Sequence, residues 1–234
     1  MAIRVIWLMF AEPAPMTENA LLPIYWTDLR ETSLHAVIGL GVGVGTAALL
    51  QLSCGLYFWF EDQQQALGLI ALTVALPLGA ACGGNSRAAL ARGLFAGTGL
   101  ALGACATGGF LPAAISWCAA ASLLGAALVG VSSRAAVPAS LAWWVLCALP
   151  FFFERMGAFG IGDAAREAAS IESPWLGFAQ HALKADPLHK TFIYFNQLSA
   201  LSSAAAIEPI DASRLWAWAA LAMAAALYRG WQRA

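Results

Sequence analysis

The chain has 234 residues, of which 61% are hydrophobic and 11% are charged, and its mean hydropathy is +0.71. This composition lies far from the balance of soluble globular proteins. The net charge of −1 gives no reason to expect a nucleic acid partner. Because several stretches reach the roughly 20 apolar residues that cross a bilayer, we predict an all-α integral membrane protein that resides in the lipid bilayer.

Charged residues divide the apolar sequence into about six predicted transmembrane helices, at 34–60, 66–84, 93–111, 113–131, 135–153 and 212–229. Only GGFLPA separates the third from the fourth, so a five-span interpretation with one long kinked helix stays open. Lys and Arg concentrate in alternate short connections, which predicts cytoplasmic N and C termini. A bacterial cytoplasmic (inner) membrane is the expected location.

The prediction divides the chain into four parts. Residues 1–33 form an N-terminal segment with an interfacial helix, and 34–153 form a five-helix transmembrane region. Residues 154–211 form an extracytoplasmic helical segment, and 212–234 contain the last span and a cytoplasmic tail.

The stretch PIYWTDLRETSLH, residues 23–35, directly precedes the first span and favours an amphipathic helix on the membrane surface. Two interpretations stay open, a simple membrane anchor and a docking helix for a partner. The candidate docking residues are Trp26, Asp28, Arg30 and Glu31, together with Arg87 and Arg92 in the second connection. The same two connection arginines are also explained as determinants of topology.

Glycine spacing is informative in the first and third predicted spans. GLGVGVG, residues 39–45, contains two overlapping GxxxG pairs, and Gly79/Gly83, Gly93/Gly97 and Gly99/Gly103 repeat the spacing later in the chain. This spacing lets helix backbones approach closely in a membrane. We therefore predict that six glycines pack helices, with a partner in this chain or another: Gly39, Gly41, Gly43, Gly45, Gly99 and Gly103. A nucleotide-binding glycine loop would need a Lys and a preceding strand.

Catalytic and ligand-binding chemistry is sparse in the predicted spans. Apart from residues at their ends, the spans contain no Asp, Glu, Lys, Arg or His. Ion-coupled carriers and membrane proteases usually keep ionisable groups at depth, so both classes are disfavoured. The cysteines fall one in each of the first five spans without a CxxC motif, which indicates packing residues. We expect no catalytic, metal or cofactor site in this chain.

The segment 154–211 is predicted to form short helices. Ser173 followed by Pro174 is a strong helix start signal. His181, Asp186 and His189 could suggest a metal or acid–base cluster, but their spacing matches no established pattern. We favour solvated or interfacial residues.

The opening LPIYWTDLRET resembles the start of permease subunits of ABC-2-type exporters, in which a Pro precedes an acidic residue, Leu and Arg on an interfacial helix. The matching positions are Pro23, Asp28, Leu29 and Arg30. Six spans, cytoplasmic termini and a helical outer segment before the last span are similar too. The resemblance implies a permease dimer on two ATPase subunits, so ATP would bind a partner. The second connection, GGNSRAALARG, is shorter than in that family.

Three functions stay open from the sequence. The first is a permease subunit of a multi-subunit transporter energised by a separate cytoplasmic ATPase. The second is a non-catalytic structural or assembly subunit that binds other membrane subunits. The third is an enzyme that acts on a lipid-linked substrate, for which the candidate residues would be His181, Asp186, His189, Glu154 and Arg155.

Overall fold

The computed structural model describes residues 21–54, 60–84, 86–105, 112–156, 168, 171–182 and 209–233, and all regular structure within these ranges is helical. The described helices are α1 Leu21–Cys54, α2 Phe60–Cys82, α3 Arg87–Cys105, α4 Pro112–Val131, α5 Ala136–Met156, α6 Pro174–His181 and α7 Ala212–Arg233. A 3₁₀ turn, Ser133–Ala135, joins α4 to α5. The predicted all-α class is confirmed.

Within the described residues, three helices contain segments long and apolar enough to cross a membrane: Arg30–Leu49, Arg87–Cys105 and Pro112–Val131. A shorter apolar stretch, Leu67–Cys82, lies in α2. These segments support the prediction of a membrane protein with transmembrane helices. α7 is a continuous helix of 22 residues, but Arg214 and Arg229 near its ends lower its hydropathy.

α1 is one continuous helix of 34 residues. At 1.5 Å per residue it is about 51 Å long, whereas the hydrocarbon core of a bilayer is about 30 Å thick. The expected division at residue 34, between an interfacial helix and a span, therefore does not coincide with a helix break. Instead, the apolar segment Arg30–Leu49 is preceded by a helical extension that starts at Leu21.

Helix directions follow from which residues face each other. α1 and α3 run parallel, since Gly39 lies against Ala96 and Gly43 against Leu100. α3 and α4 are antiparallel, since the neighbours of Gly93 lie further along α4 than those of Gly97.

α4 lies at the centre of the bundle, buried by α2, α3 and α7. α7 runs parallel to α4, because Trp216 contacts Ser116 near the start of both helices and Arg229 contacts Val131 near their ends. The first residues of α1 and the last residues of α7 therefore lie at the same end of the bundle. We call this the arginine end, defined by Arg30, Arg92, Arg134 and Arg229.

α6 begins where the sequence predicts. Pro174 is its first residue and the buried Ser173 hydroxyl accepts a hydrogen bond from the Leu176 N–H at 3.5 Å. The helix buries its apolar face in the bundle, and the ring of Phe178 meets Trp117 of α4 edge to face, with 5.8 Å between centroids. α6 is thus part of the core, at the end opposite the arginine end.

Candidate functional site

An ion pair joins α1 to α3 at the arginine end. Arg92 Nη1 lies 2.8 Å from Glu31 Oε2, and the side chains of Arg92 and Glu31 are 24% and 58% exposed. The sequence suggested both residues as separate contacts for a partner. The structure brings them together, so that Glu31 in the third turn of α1 pairs with Arg92 of α3.

Arg92 reaches Glu31 because α3 begins earlier than predicted. The Ser86 hydroxyl accepts a hydrogen bond from the Ala89 N–H at 3.1 Å and caps the helix, so Arg87 is its first residue. Arg92 therefore projects from the second turn of a helix and not from a loop. Arg87 is partly buried and is already engaged by neighbours.

The remaining docking candidates lie on α1. Arg30 is exposed, and its carbonyl accepts a hydrogen bond from the Ser33 hydroxyl at 3.0 Å. Trp26 and Asp28 belong to the first turns of the same helix, and their side chains lie outside the described part of the structure. Of the predicted set, the described side chains of Arg30 and Glu31 are exposed, and that of Glu31 is paired with Arg92.

Positive charge dominates the described surface at the arginine end. Arg134 in the 3₁₀ turn is exposed, and the exposed Arg229 donates a hydrogen bond to the Val131 carbonyl at 2.6 Å. This bond satisfies an unpaired carbonyl at the C-terminus of α4, where positive charge is also favourable. The described positive charges at this end therefore come from several elements: α1, α3, the 3₁₀ turn and α7.

A glycine seam joins α1 to α3, and its four residues are Gly39, Gly43, Gly99 and Gly103. A Cβ on any of them would collide with a backbone carbonyl of the opposite helix: that of Ala96, Leu100, Ala36 or Leu40. The backbones of α1 and α3 therefore lie in direct contact at these four positions.

Gly41 and Gly45 are placed differently from the seam. Among the described residues, no atom of another helix lies within 4 Å of the position that a Cβ would take on either residue. Two positions along a helix correspond to a rotation of about 200°, so these glycines face away from α3. The overlapping GxxxG pairs of the sequence thus separate into one packed pair and one open pair.

A cluster of tryptophans and carbonyls, missed from the sequence, lies between α2, α5 and α6. We call it the tryptophan junction, and its residues are Leu72, Thr73, Pro77, Trp143, Trp144 and Trp175. Trp143 and Trp144 donate from their indole nitrogens to the carbonyls of Leu72 and Thr73, both at 3.1 Å. The Trp175 indole donates to the Thr73 hydroxyl at 2.7 Å. Pro77 in a predicted span was the one sequence signal for this cluster, because a proline leaves a carbonyl without its helical donor.

The residues considered for catalysis are not gathered into a described site. His181 is exposed, and its Nε2 lies 3.4 Å from the Pro209 carbonyl. Asp186 and His189, and the side chains of Glu154 and Arg155, lie outside the described residues. Among the residues that are described, no group of three or more His, Cys, Asp or Glu is placed to hold a metal ion.

Asp211 has a local structural role at the start of α7. Its carboxylate accepts hydrogen bonds from the Arg214 N–H at 2.9 Å and from the Ser213 hydroxyl at 2.8 Å. Both bonds lower the pKa of Asp211 below its ordinary value, and the bond from the Arg214 backbone N–H has the larger effect. Arg214 also pairs with Glu172 at 3.3 Å, which ties α7 to the residues before α6.

Comparisons of the chain with protein-family models, curated proteins and solved structures return no match.

Proposed function

We propose that the protein is the membrane-spanning permease subunit of a multi-subunit transporter whose energy comes from a separate cytoplasmic ATPase. The observation that carries this proposal is the construction of α1. It is longer than the bilayer core is thick, and its extension and the exposed Arg30 lie beside an ion pair with α3. A partner that binds the extension of such a helix would be connected directly to the bundle.

Movement applied to this extension would be passed on to α3. The ion pair between Glu31 and Arg92 joins α1 to α3 close to the point where the extension ends. The glycine seam continues this attachment along the helix. Because the seam has backbone atoms in contact with backbone atoms, α1 has little room to slide independently. A push from an ATPase at the arginine end would therefore displace two helices together.

We further propose six membrane crossings with both ends of the chain in the cytoplasm of a bacterium. Parallel packing of α1 with α3, and of α7 with α4, supports alternating directions. Arg134 and Arg229 lie at the same end as Arg30, and this supports the proposal because positive charge is usually enriched on the cytoplasmic side.

A structural or assembly subunit is the second candidate. The observation in its favour is the open face of α1, on which Leu34, Val37 and Leu49 are largely exposed beside Gly41 and Gly45. In a larger complex this face would contact a neighbouring membrane subunit instead of lipid. No ATPase would then be required.

Isolation of the tagged protein from its native membrane in mild detergent, followed by mass spectrometry, tests the proposal. We expect a stoichiometric partner that contains a phosphate-binding loop. Arg30→Glu should release it without reducing the amount of folded protein. Arg134→Glu, at the same end but outside α1, is the matched control and should retain it. Isolation with other membrane subunits and no ATPase would favour the structural role.

A further inference from the structure

The proline in α2 creates a requirement that α2 itself cannot meet. Pro77 lies inside the helix and has no N–H, so the carbonyl of Thr73, four residues earlier, loses its helical donor. An unpaired backbone carbonyl is strongly unfavourable in the apolar interior of a membrane. A donor from outside α2 is therefore needed at Thr73.

α5 supplies that donor. The Trp144 indole nitrogen lies 3.1 Å from the Thr73 carbonyl oxygen, and the Trp143 indole donates to the preceding carbonyl, that of Leu72, at the same distance. Trp143 is almost completely buried, whereas Trp144 is 46% exposed. Two successive residues of α5 thus donate to the carbonyls five and four residues before the proline.

α6 reaches the same residue by a different atom. Trp175 donates to the Thr73 hydroxyl, and that hydroxyl donates in turn to the Leu69 carbonyl at 2.8 Å. Trp175 is placed by the first turn of α6, which Ser173 and Pro174 define. Thr73 therefore accepts a hydrogen bond from α5 at its carbonyl and one from α6 at its hydroxyl.

α4 lies against α2 on both sides of Pro77, and before the proline a Cβ on Gly125 of α4 would collide with the Leu76 carbonyl. After Pro77, Gly79 lies directly against the backbone of Ser122 in α4, where a Cβ would not fit. Before Pro77, the tryptophan junction holds Leu72 and Thr73. Both sides of the proline thus pack on α4, and the segment before it is also hydrogen-bonded to α5 and α6.

We propose that Pro77 is a hinge of α2 and that Trp144 and Trp175 latch it, so that the position of α6 and the bend of α2 form one coupled equilibrium. Withdrawal of α6 or α5 removes a donor from Thr73 and releases the segment before the hinge. A molecule that displaces α6 therefore changes α2, whose later half contacts the central helix. This device does not depend on an ATPase.

A double-mutant cycle read by amide hydrogen exchange on the full chain in lipid nanodiscs tests the hinge. Pro77→Ala returns an N–H to the Thr73 carbonyl, and Trp144→Phe removes the indole donor while it keeps an aromatic ring. In the natural background, Trp144→Phe should accelerate exchange in α6 and in α2 before residue 77 by about tenfold, as expected for one lost hydrogen bond. In the Pro77→Ala background the same change should stay within about twofold, because the carbonyl already has a donor.

Trp216→Phe is the matched control. Its indole donates to the Ser116 hydroxyl at 2.9 Å, away from the proline. Its effect should be the same in both backgrounds. An equal effect of Trp144→Phe in both backgrounds would overturn the hinge.

A second variant tests the link to α6, also if Pro77→Ala fails to fold. Thr73→Val removes the hydroxyl that Trp175 contacts and keeps the shape of the side chain. It should accelerate exchange in α6 about as much as Trp175→Phe does. Unchanged exchange in α6 for both variants would overturn the coupling.

Discussion

The glycine seam and the tryptophan junction hold helices together by opposite means. In the seam, α1 and α3 approach until the atoms nearest to the four glycines are backbone atoms of the opposite helix. In the junction, large side chains of α5 and α6 extend to α2 and donate hydrogen bonds. The seam is non-directional, whereas the junction depends on single atoms being in place.

With these two kinds of contact, a bundle with few charged residues can combine rigid and adjustable parts. Van der Waals contact between backbones falls off steeply as helices separate, so the seam is either closed or lost. A hydrogen bond from an indole can be broken and replaced singly. We therefore expect rigid transmission through α1 and α3, and conformational change at α2, α5 and α6.

The largest expected effect is in the seam. Gly39→Ala places a Cβ against the Ala96 carbonyl and should destabilise the protein by about 3 kcal/mol, the upper part of the range for overpacking. Gly41→Ala meets open space and should be neutral or stabilise by up to about 0.5 kcal/mol, through better helix propensity. Thermal unfolding in detergent measures both. Equal losses for the two variants would mean that the seam does not exist.

The next effect is in the junction. Trp143→Phe leaves the Leu72 carbonyl without its buried indole donor, and we expect a loss of about 1.5 kcal/mol. Ser122→Ala, which removes a buried 2.6 Å hydrogen bond to the Gly93 carbonyl, serves as a reference from another interface. Chemical denaturation of both variants gives the comparison. If Trp143→Phe left the free energy of unfolding unchanged, the indole would stabilise the protein only through the packing of its ring.

A smaller effect is expected for the ion pair at the base of the seam. Because Glu31 is 58% exposed, solvent screens its attraction to Arg92, and the coupling should be about 0.5 kcal/mol. A double-mutant cycle with Glu31→Gln and Arg92→Gln, repeated in high salt, measures it. The coupling should shrink as salt increases. A coupling that salt leaves unchanged would contradict the exposed geometry.

The smallest effect concerns the opposite end, at Asp211. Its folded-state pKa is lowered, so its ionised form contributes stability that is complete above the ordinary pKa and is lost as the pH falls through the lowered value. Asp211→Asn keeps an acceptor for the Arg214 N–H but has no charge to titrate. The difference in melting temperature between the two proteins should therefore narrow on acidification. A constant difference would show that the charge contributes nothing.

Local signals were sufficient to predict part of this structure. The start of α6 follows from Ser173 and Pro174, because capping depends on adjacent residues alone. The helical class follows from apolar runs of spanning length. The glycine spacing identified α1 and α3 as packing helices, although it could not distinguish Gly39 from Gly41, since both belong to GxxxG pairs and only the neighbouring helix decides which pair is covered.

Contacts between distant parts of the chain could not be predicted in this way. Glu31 and Arg92 are 61 positions apart, and Trp144 and Thr73 are 71 apart. A single sequence contains the donor and the acceptor but not their pairing. Pro77 predicts that Thr73 needs a donor, yet any of several tryptophans could have supplied it.

The most direct test of the proposed transport role places a photoreactive residue at position 30, in place of Arg30, and cross-links it in intact cells. We expect a covalent product with a cytoplasmic ATPase that contains a phosphate-binding loop. The same residue at position 134 should give little of that product. Cross-links from position 30 to lipid or to membrane subunits alone would contradict the proposal that an ATPase binds α1.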